Sequence, residues 1–75
     1  MGILAQAIEQ EVTGDGELPT GFLFASVKNV GTGTVQVNGV ALVVGEAKSY
    51  PFVGKPYQAV PYQAAGSTLR ILYTL

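Results

Sequence analysis

The chain has 75 residues, of which 48% are hydrophobic and only 12% are charged; its net charge is −1 and it has neither cysteine nor histidine. These totals exclude disulfides, iron–sulfur clusters, thiolate zinc sites and histidine-assisted nucleophilic catalysis. The four basic residues are scattered and cannot form a phosphate-binding patch, so nucleic acid is not an expected partner. No run of the sequence reaches the ~18 apolar residues of a membrane span, and the first residues lack the basic region of a signal peptide.

The small size of the chain predicts self-association. A domain of this length buries only about 60% of the surface that its unfolded form exposes, so its own core gives marginal stability. Small domains compensate with disulfides, a metal or oligomerisation. The five acidic residues show no tight ligand spacing, so we expect no metal and no other cofactor. A homo-oligomer, with a trimer as the favoured form, is the remaining prediction.

The N-terminal segment is ambiguous between helix and strand. Leu4, Ile8 and Val12 recur every four residues, as on one face of a helix, but they would also share one face of a strand. We favour a strand, and a short helix remains the alternative. Residues 1–13 are therefore predicted to form an N-terminal arm, and residues 14–75 a separate domain.

A loop and a strand are predicted next. Residues 14–21 are dense in turn formers and predict a loop. A metal-binding loop around Asp15 is disfavoured because the spacing of an EF-hand is absent. Residues 22–30 (FLFASVKNV) predict a strand whose two faces are both apolar at its start. Such a strand is either central in its sheet or packs one face on a partner chain.

A β-hairpin is predicted over residues 34–44. Asn38 and Gly39 tolerate the positive φ that a two-residue type I′ turn requires. Four apolar residues would then share one side of the hairpin, so the turn register and the apolar pattern agree: Val35, Val37, Val40 and Leu42. Gly45 is predicted to form the turn that follows.

Two further strands are predicted over residues 47–53 and 68–75. Pro51 cannot donate to a ladder, so the first of these strands must be short or lie at an edge. Between them, the duplication PYQAV–PYQAA separates Tyr57 and Tyr62 by an odd number of residues. In an extended chain this spacing points one tyrosine into the core and the other towards a neighbour or ligand. The whole pattern predicts an all-β fold, a small antiparallel β-sandwich or barrel of five to six short strands.

The sequence contains no motif that predicts catalysis. The serines lack a G-x-S-x-G context. Gly54-Lys55 is followed by Pro56, where a phosphate-binding loop needs Ser or Thr. We therefore expect no enzymatic activity and no catalytic residue. Aromatic and neighbouring apolar side chains are instead the candidates for a protein interface: Phe22, Leu23, Phe24, Tyr57 and Tyr62.

Three stretches of residues 14–75 follow one another in a recognisable order: GDGELPTGF, then ASVKNVGTGTVQVNGVALVVGEAKSYPF, then YQAAGSTLRILYTL. A strand ending in Asn-x-Gly leads to a hairpin with Val-x-Val-Asn-Gly, a Gly-Glu turn and a closing Gly-Ser-x-Leu strand. This order resembles small β-rich virion proteins of tailed bacteriophages, although the PYQAVPYQAA duplication is not part of that pattern. The resemblance implies a virion location and other virion proteins as partners.

The sequence thus predicts a non-enzymatic structural protein that assembles with itself and attaches to a phage particle. By the resemblance, it would be a capsid decoration or cement protein, or a fibre or tail module. The alternative is a carbohydrate- or receptor-binding module that uses exposed tyrosines beside Asp15, Glu17 or Gln58. In that case a glycan would be the partner.

Overall fold

The computed structural model describes residues 4–75, and the first three residues of the predicted arm lie outside the described part. These 72 described residues form eight β-strands: β1 (Ala7–Val12), β2 (Asp15–Leu18), β3 (Phe24–Asn29), β4 (Val35–Val37), β5 (Val40–Leu42), β6 (Ala47–Tyr50), β7 (Val60–Gln63) and β8 (Leu69–Thr74). Residues 4–75 contain no helix.

The strands form two antiparallel sheets of four strands each. The first sheet has the order β1-β8-β3-β6 and the second has the order β2-β7-β4-β5. The first strand pairs with the last, β2 with β7, β3 with β6, and β4 with β5. The chain is therefore one long hairpin rolled into two layers, which is the jelly-roll topology. The prediction of an all-β antiparallel sandwich is confirmed.

The prediction of five to six strands is too low, because β2 lies in the segment predicted to be a loop and β7 lies in the PYQAV–PYQAA duplication, where no strand is predicted. Gly16 in β2 lies opposite Tyr62 in β7. A Cβ atom on Gly16 would come within 2.7 Å of the Tyr62 hydroxyl oxygen, so only glycine leaves room for the ring across the strand. Gly16 is therefore explained by the close approach of the Tyr62 ring, and it does not mark a loop.

The segment predicted to be an arm contains β1, which is an edge strand of the first sheet. It pairs with β8 over six residue pairs, from Ala7–Thr74 to Val12–Leu69. Ile8 and Val12 are partly buried, whereas the acidic residues between them are exposed. The described part of the segment is thus a strand, as we favoured, and it belongs to the same sandwich as the rest of the chain.

The β4–β5 hairpin has the register that the sequence predicts. Its two outer pairs are Val35–Leu42 and Val37–Val40. Asn38 has φ 53° and Gly39 has φ 79°, so both central residues have the positive φ of a type I′ turn. Gly45, with φ 88°, lies in the turn from β5 to β6.

The core fills the space between the two sheets. Its members alternate with exposed residues along β3, β4, β7 and β8, as expected for sheets with one buried face. In the described part of the chain, twelve apolar side chains are buried: Leu18, Phe22, Ala25, Val27, Val35, Val37, Leu42, Val60, Tyr62, Ala64, Leu69 and Ile71.

A buried polar residue, Asn29, ends β3 and ties together one end of the sandwich. Its Nδ2 donates to the Gly33 carbonyl at 2.7 Å and to the Leu42 carbonyl at 2.9 Å. Its Oδ1 accepts from the Gly31 amide at 3.2 Å and from the Ser67 hydroxyl at 2.9 Å. These four bonds use both donors and both acceptor lone pairs of the amide. They link β3 to the loop after it, to the end of β5 and to the turn before β8.

The loop after β3 packs against the turn before β8 without spare room. A Cβ atom on Gly31 would overlap the Ser67 hydroxyl and the Thr68 backbone nitrogen. A Cβ atom on Gly33 would come within 3.0 Å of the Gly66 carbonyl oxygen. The Gly33 amide also donates to the Ser67 hydroxyl at 3.2 Å. Close packing between the two loops therefore explains the glycines at positions 31 and 33.

Replacing Asn29 with Ala should destabilise the fold severely. The substitution removes four hydrogen bonds and leaves their backbone and hydroxyl partners without the amide, at about 1–3 kcal/mol for each buried group. We expect a loss of at least ~3 kcal/mol in the free energy of unfolding, measured by urea denaturation. Thr32→Ala, at an exposed position in the same loop, is the control and should change it by less than about 0.5 kcal/mol. A loss below ~1 kcal/mol for Asn29→Ala would contradict the role of this network.

Candidate functional site

The five predicted interface residues differ in accessibility. Phe22 and Tyr62 have exposed fractions of 0% and 8% and belong to the core. They therefore cannot contact a partner while this fold is intact, and their assignment as interface residues is corrected. Leu23, Phe24 and Tyr57 are partly exposed and remain candidates.

Phe22 is buried because the strand begins later than predicted. The Leu23 amide donates to the Thr74 carbonyl at 2.8 Å, and β3 begins only at Phe24. The chain bends at Leu23, so the alternation expected for residues 22–30 does not extend back to Phe22. As a result Phe22 lies in the core, whereas Phe24 lies on the outer face of the first sheet.

The two tyrosines of the duplication both pack against the core, so the prediction that they face opposite ways is wrong. Tyr62 lies in β7, and its burial raises the pKa of its hydroxyl above the usual range, with a smaller contribution from Tyr73. Tyr57 lies before β7, in the connection from β6, where strand alternation does not apply. It packs against the core as a partly buried side chain.

Three aromatic rings close the end of the sandwich opposite Asn29. The Phe22 and Tyr57 rings are stacked, with centroids 4.8 Å apart and an interplanar angle of 8°. The Tyr50 ring meets both edge-on, at 6.1 Å and 5.6 Å. The Tyr57 hydroxyl donates to the Pro51 carbonyl at 2.7 Å, and the Tyr57 amide donates to the Phe22 carbonyl at 2.9 Å. The cluster thus fastens the β6–β7 connection across this end.

The Tyr50 hydroxyl is buried and has no hydrogen-bond partner among residues 4–75. The Nζ atom of Lys48 lies 5.6 Å from the centroid of the Tyr50 ring, within the range of a cation–π contact. The ring of Tyr50 therefore makes stabilising contacts, whereas burial of its hydroxyl lowers the stability of the fold through the cost of desolvation.

One side of the sandwich exposes apolar side chains. Strands β5 and β6 are consecutive in the chain, and each is the edge strand of its sheet. Val40 shares the inner face with Val37 but remains 51% exposed, because no further strand formed by residues 4–75 covers it. Among residues 4–75, five of the seven exposed large hydrophobic residues lie in these strands or shortly after them, and we call this region the apolar side: Val40, Val43, Val44, Phe52 and Val53.

The opposite side of the sandwich is acidic. Strands β1 and β2 are joined by two residues and are the other two edge strands. They carry four of the five acidic residues of the chain, and we call this region the acidic side: Glu9, Glu11, Asp15 and Glu17. The guanidinium of Arg70 in β8 donates hydrogen bonds to the Glu11 carboxylate, and the distance from Arg70 Nη2 to Glu11 Oε2 is 2.9 Å. Both side chains are more than half exposed, so this ion pair contributes little to stability.

The outer face of the second sheet carries two shallow depressions, of which the larger is mainly polar and the smaller mainly apolar. Gln36 and Gln63 are cross-strand neighbours and line both of them. The larger has a volume of about 310 Å³ and is also lined by Asp15, Thr34 and Ala65. The smaller, of about 200 Å³, is bounded by Gly39, Pro61 and Tyr62. Amide, carboxylate and hydroxyl groups on a flat sheet can hydrogen-bond a polar ligand.

Residues 4–75 contain no group of three acidic side chains arranged to hold a metal ion. This part of the chain also has no helix long and apolar enough to cross a membrane. Comparisons with protein-family models, with curated proteins and with solved structures found no match to the chain.

Removing the hydroxyl of Tyr50 or of Tyr57 should have opposite effects on stability. Tyr50→Phe deletes a buried hydroxyl without a partner and should raise the free energy of unfolding by about 1 kcal/mol. Tyr57→Phe deletes the hydrogen bond to Pro51 and should lower it by about 0.5–1 kcal/mol. Each keeps its ring and therefore serves as the control for the other in urea denaturation. A loss of stability with Tyr50→Phe would show that its hydroxyl has a partner.

Proposed function

We propose that this chain is a non-enzymatic structural subunit that assembles with copies of itself and attaches to a phage particle. In the particle it acts as a capsid decoration or cement protein, or as a fibre or tail module. The self-association is argued from the surface of the molecule. The virion location is supported by the resemblance of residues 14–75 to small β-rich phage proteins.

The fold is compatible with this role but does not select it. Jelly rolls occur in viral capsid proteins and also in lectins. A fold hosts many functions, so the argument must rest on particular surfaces. The proposal therefore depends on what the two lateral sides of the sandwich expose.

The observation that carries the proposal is the apolar side. Phe52 is 63% exposed, and the four valines of this side are each more than half exposed. Single exposed apolar residues are ordinary on a protein surface, but here one lies in β5, two in the turn from β5 to β6 and two in the connection after β6, and a concentration of exposed apolar residues is typical of an interaction site. Only 12% of the residues are charged, so few ions keep copies apart.

Sedimentation of the purified protein at micromolar concentration tests self-association. The wild-type chain should sediment as an oligomer, and Phe52→Ser should weaken association about tenfold or more, because it removes the largest exposed apolar side chain of this side. Leu4→Ser is the matched control, since Leu4 is exposed but lies before β1. A well-folded monomer that binds no virion protein would contradict the proposal. The virion location is checked by mass spectrometry of density-purified particles from the strain that carries the gene, in which this chain should be present.

A glycan-binding module is the second candidate, and the polar depression lined by Asp15, Gln36 and Gln63 favours it. Tyr62 is buried, so the exposed amides of Gln36 and Gln63 replace the tyrosines as the groups that would contact a sugar. On a glycan array, Gln63→Ala should abolish binding without changing the sedimentation of the protein. Gln58→Ala, exposed and outside both depressions, is the control. Absence of binding by the wild-type chain would remove this candidate.

A further inference from the structure

The outer face of the first sheet combines cations, hydroxyl groups and an aromatic ring. Along β3 every second residue is buried, so the residues between them point outwards. The same alternation holds in β8 up to Ile71, and in β6 the outward positions are those paired with outward residues of β3. Five of these outward side chains are the groups that can contact a ligand: Phe24, Ser26, Lys28, Ser49 and Arg70.

Two cations lie directly opposite each other on this face. Lys28 of β3 pairs with Arg70 of β8, and both side chains are exposed. Such a pair has its Cβ atoms about 5 Å apart, and like charges in this position destabilise the pairing of the strands. On the other side of Lys28 lies Ala47 of β6, which has no charge to offset this repulsion. A local arrangement that costs stability without an evident structural gain is typical of a functional position.

The Arg70 guanidinium is held in place by Glu11 and keeps one end open. Glu11 Oε2 accepts from Arg70 Nε at 3.1 Å and from Nη2 at 2.9 Å. Both bonds lie on the β1 side of Arg70, and its Nη1 makes no hydrogen bond within residues 4–75. The ion pair therefore orients the guanidinium and leaves donors free for an anion.

The remaining acidic residues do not neutralise Lys28. Glu9 of β1 lies opposite Leu72 of β8, so the width of β8 separates it from β3. Glu46 lies in the turn before β6, where its carboxylate accepts a hydrogen bond from the Val43 amide at 2.9 Å. The part of the face formed by β8, β3 and β6 therefore carries excess positive charge, although the chain as a whole has a net charge of −1.

Uncharged groups extend this face along β3. Ser26 and Ser49 lie directly opposite each other, one step from the cations. Phe24 follows at roughly 13 Å from Lys28 along the strand, and its ring is partly exposed. Hydroxyl groups donate to and accept from other hydroxyls, and an aromatic ring packs on the apolar face of a sugar ring.

From this arrangement we propose that the outer face of the first sheet binds an acidic glycan. A sulfate or carboxylate group of the glycan lies between Lys28 and Arg70. Ser26 and Ser49 contact sugar hydroxyls, and Phe24 packs against a sugar ring at the other end of β3. This site is on the opposite sheet from the depression that contains Gln63, and it does not depend on self-assembly.

Other anionic partners fit this face less well. An extended peptide pairs with a free strand edge, whereas β3 and β8 both have neighbours on each side. A nucleic acid needs cations along its line of phosphates, and two cations do not form such a line. A glycan with one charged group per few sugars needs only a single anion site and supplies its own hydroxyls for the serines.

Dextran sulfate, compared with unsubstituted dextran, tests the anion site. In calorimetric titrations the wild-type chain should bind dextran sulfate at least about tenfold more tightly than dextran, and Lys28→Gln or Arg70→Gln should each weaken this binding about tenfold. Lys55→Gln removes an exposed cation from the β6–β7 connection and is the matched control, with wild-type binding expected. Equal weakening by Lys55→Gln would show a general attraction to polyanions and overturn the proposal, as would equal binding of the two dextrans.

Loss of binding by Lys28→Gln should not arise from unfolding. The substitution removes one of two opposed like charges, so its thermal midpoint, followed by circular dichroism, should be no lower than that of the wild-type chain. Polygalacturonate identifies the charged group, because it carries carboxylates in place of sulfates. Binding of either polymer that depends on Lys28 supports the site, and binding of neither overturns it.

Phe24→Leu distinguishes a glycan from a bare anion. It should weaken the binding of dextran sulfate about fivefold, because a leucine side chain cannot stack on a sugar ring. It should not change the binding of poly(vinyl sulfate), which carries the same charged groups without sugars. If Phe24→Leu affects both polymers equally or neither of them, the assignment to a glycan is wrong.

The outcomes separate this inference from the proposed function. A wild-type chain that sediments as a monomer but binds dextran sulfate through Lys28 removes self-assembly and keeps the anion site. A chain that assembles but does not prefer dextran sulfate over dextran keeps self-assembly and removes the anion site. Gln63→Ala should leave the binding of dextran sulfate unchanged, and a tenfold loss would place the contact on the second sheet instead.

Discussion

The buried amide of Asn29 is the interaction on which the rest of the sandwich depends. A jelly roll of this size must pass the chain between its two sheets through very short loops, and several of them meet where β3 ends. Apolar side chains cannot satisfy the backbone groups that these loops bury, whereas one amide satisfies four partners at once. Ser67 extends the network to the turn before β8, and Gly31 leaves it the necessary room. Leaving any of these buried polar groups without its hydrogen bond would destabilise the fold, so the network specifies one arrangement of the loops.

The two ends and the two lateral sides of the sandwich are stabilised by different means. Hydrogen bonds close the end at Asn29, and the stacked rings of Phe22 and Tyr57 close the other. The lateral sides have no comparable closure within residues 4–75, because each is formed by strands with one unpaired edge. Edge strands invite pairing with other chains. The exposed valines on one side and the carboxylates on the other give these two unpaired edges a different chemical character.

Much of the fold could be predicted from local patterns, and the failures have identifiable physical causes. Asn38-Gly39 specifies the β4–β5 hairpin because a two-residue turn fixes the register and the apolar residues agree with it. Strand β2 was missed because Gly16 looks like a turn former until the ring of Tyr62 is seen across the strand. Of the candidate interface, Leu23, Phe24 and Tyr57 remain partly exposed. Phe22 and Tyr62 are buried instead: the bend at Leu23 directs Phe22 into the core, and the pairing of β7 within its sheet does the same for Tyr62.

The sequence by itself determined the all-β class, the antiparallel hairpin and the absence of cysteine and histidine chemistry, because these follow from residue type and from contacts between near neighbours in the chain. Only the tertiary structure decided which strands lie at the edges, that Asn29 lies at the centre of a polar network, and that acidic and apolar residues are placed on opposite sides. These features come from pairings such as β1 with β8, which join residues at the two ends of the chain. Alternation along a strand reports which residues share a face, but it carries no information about which other strand lies beside it.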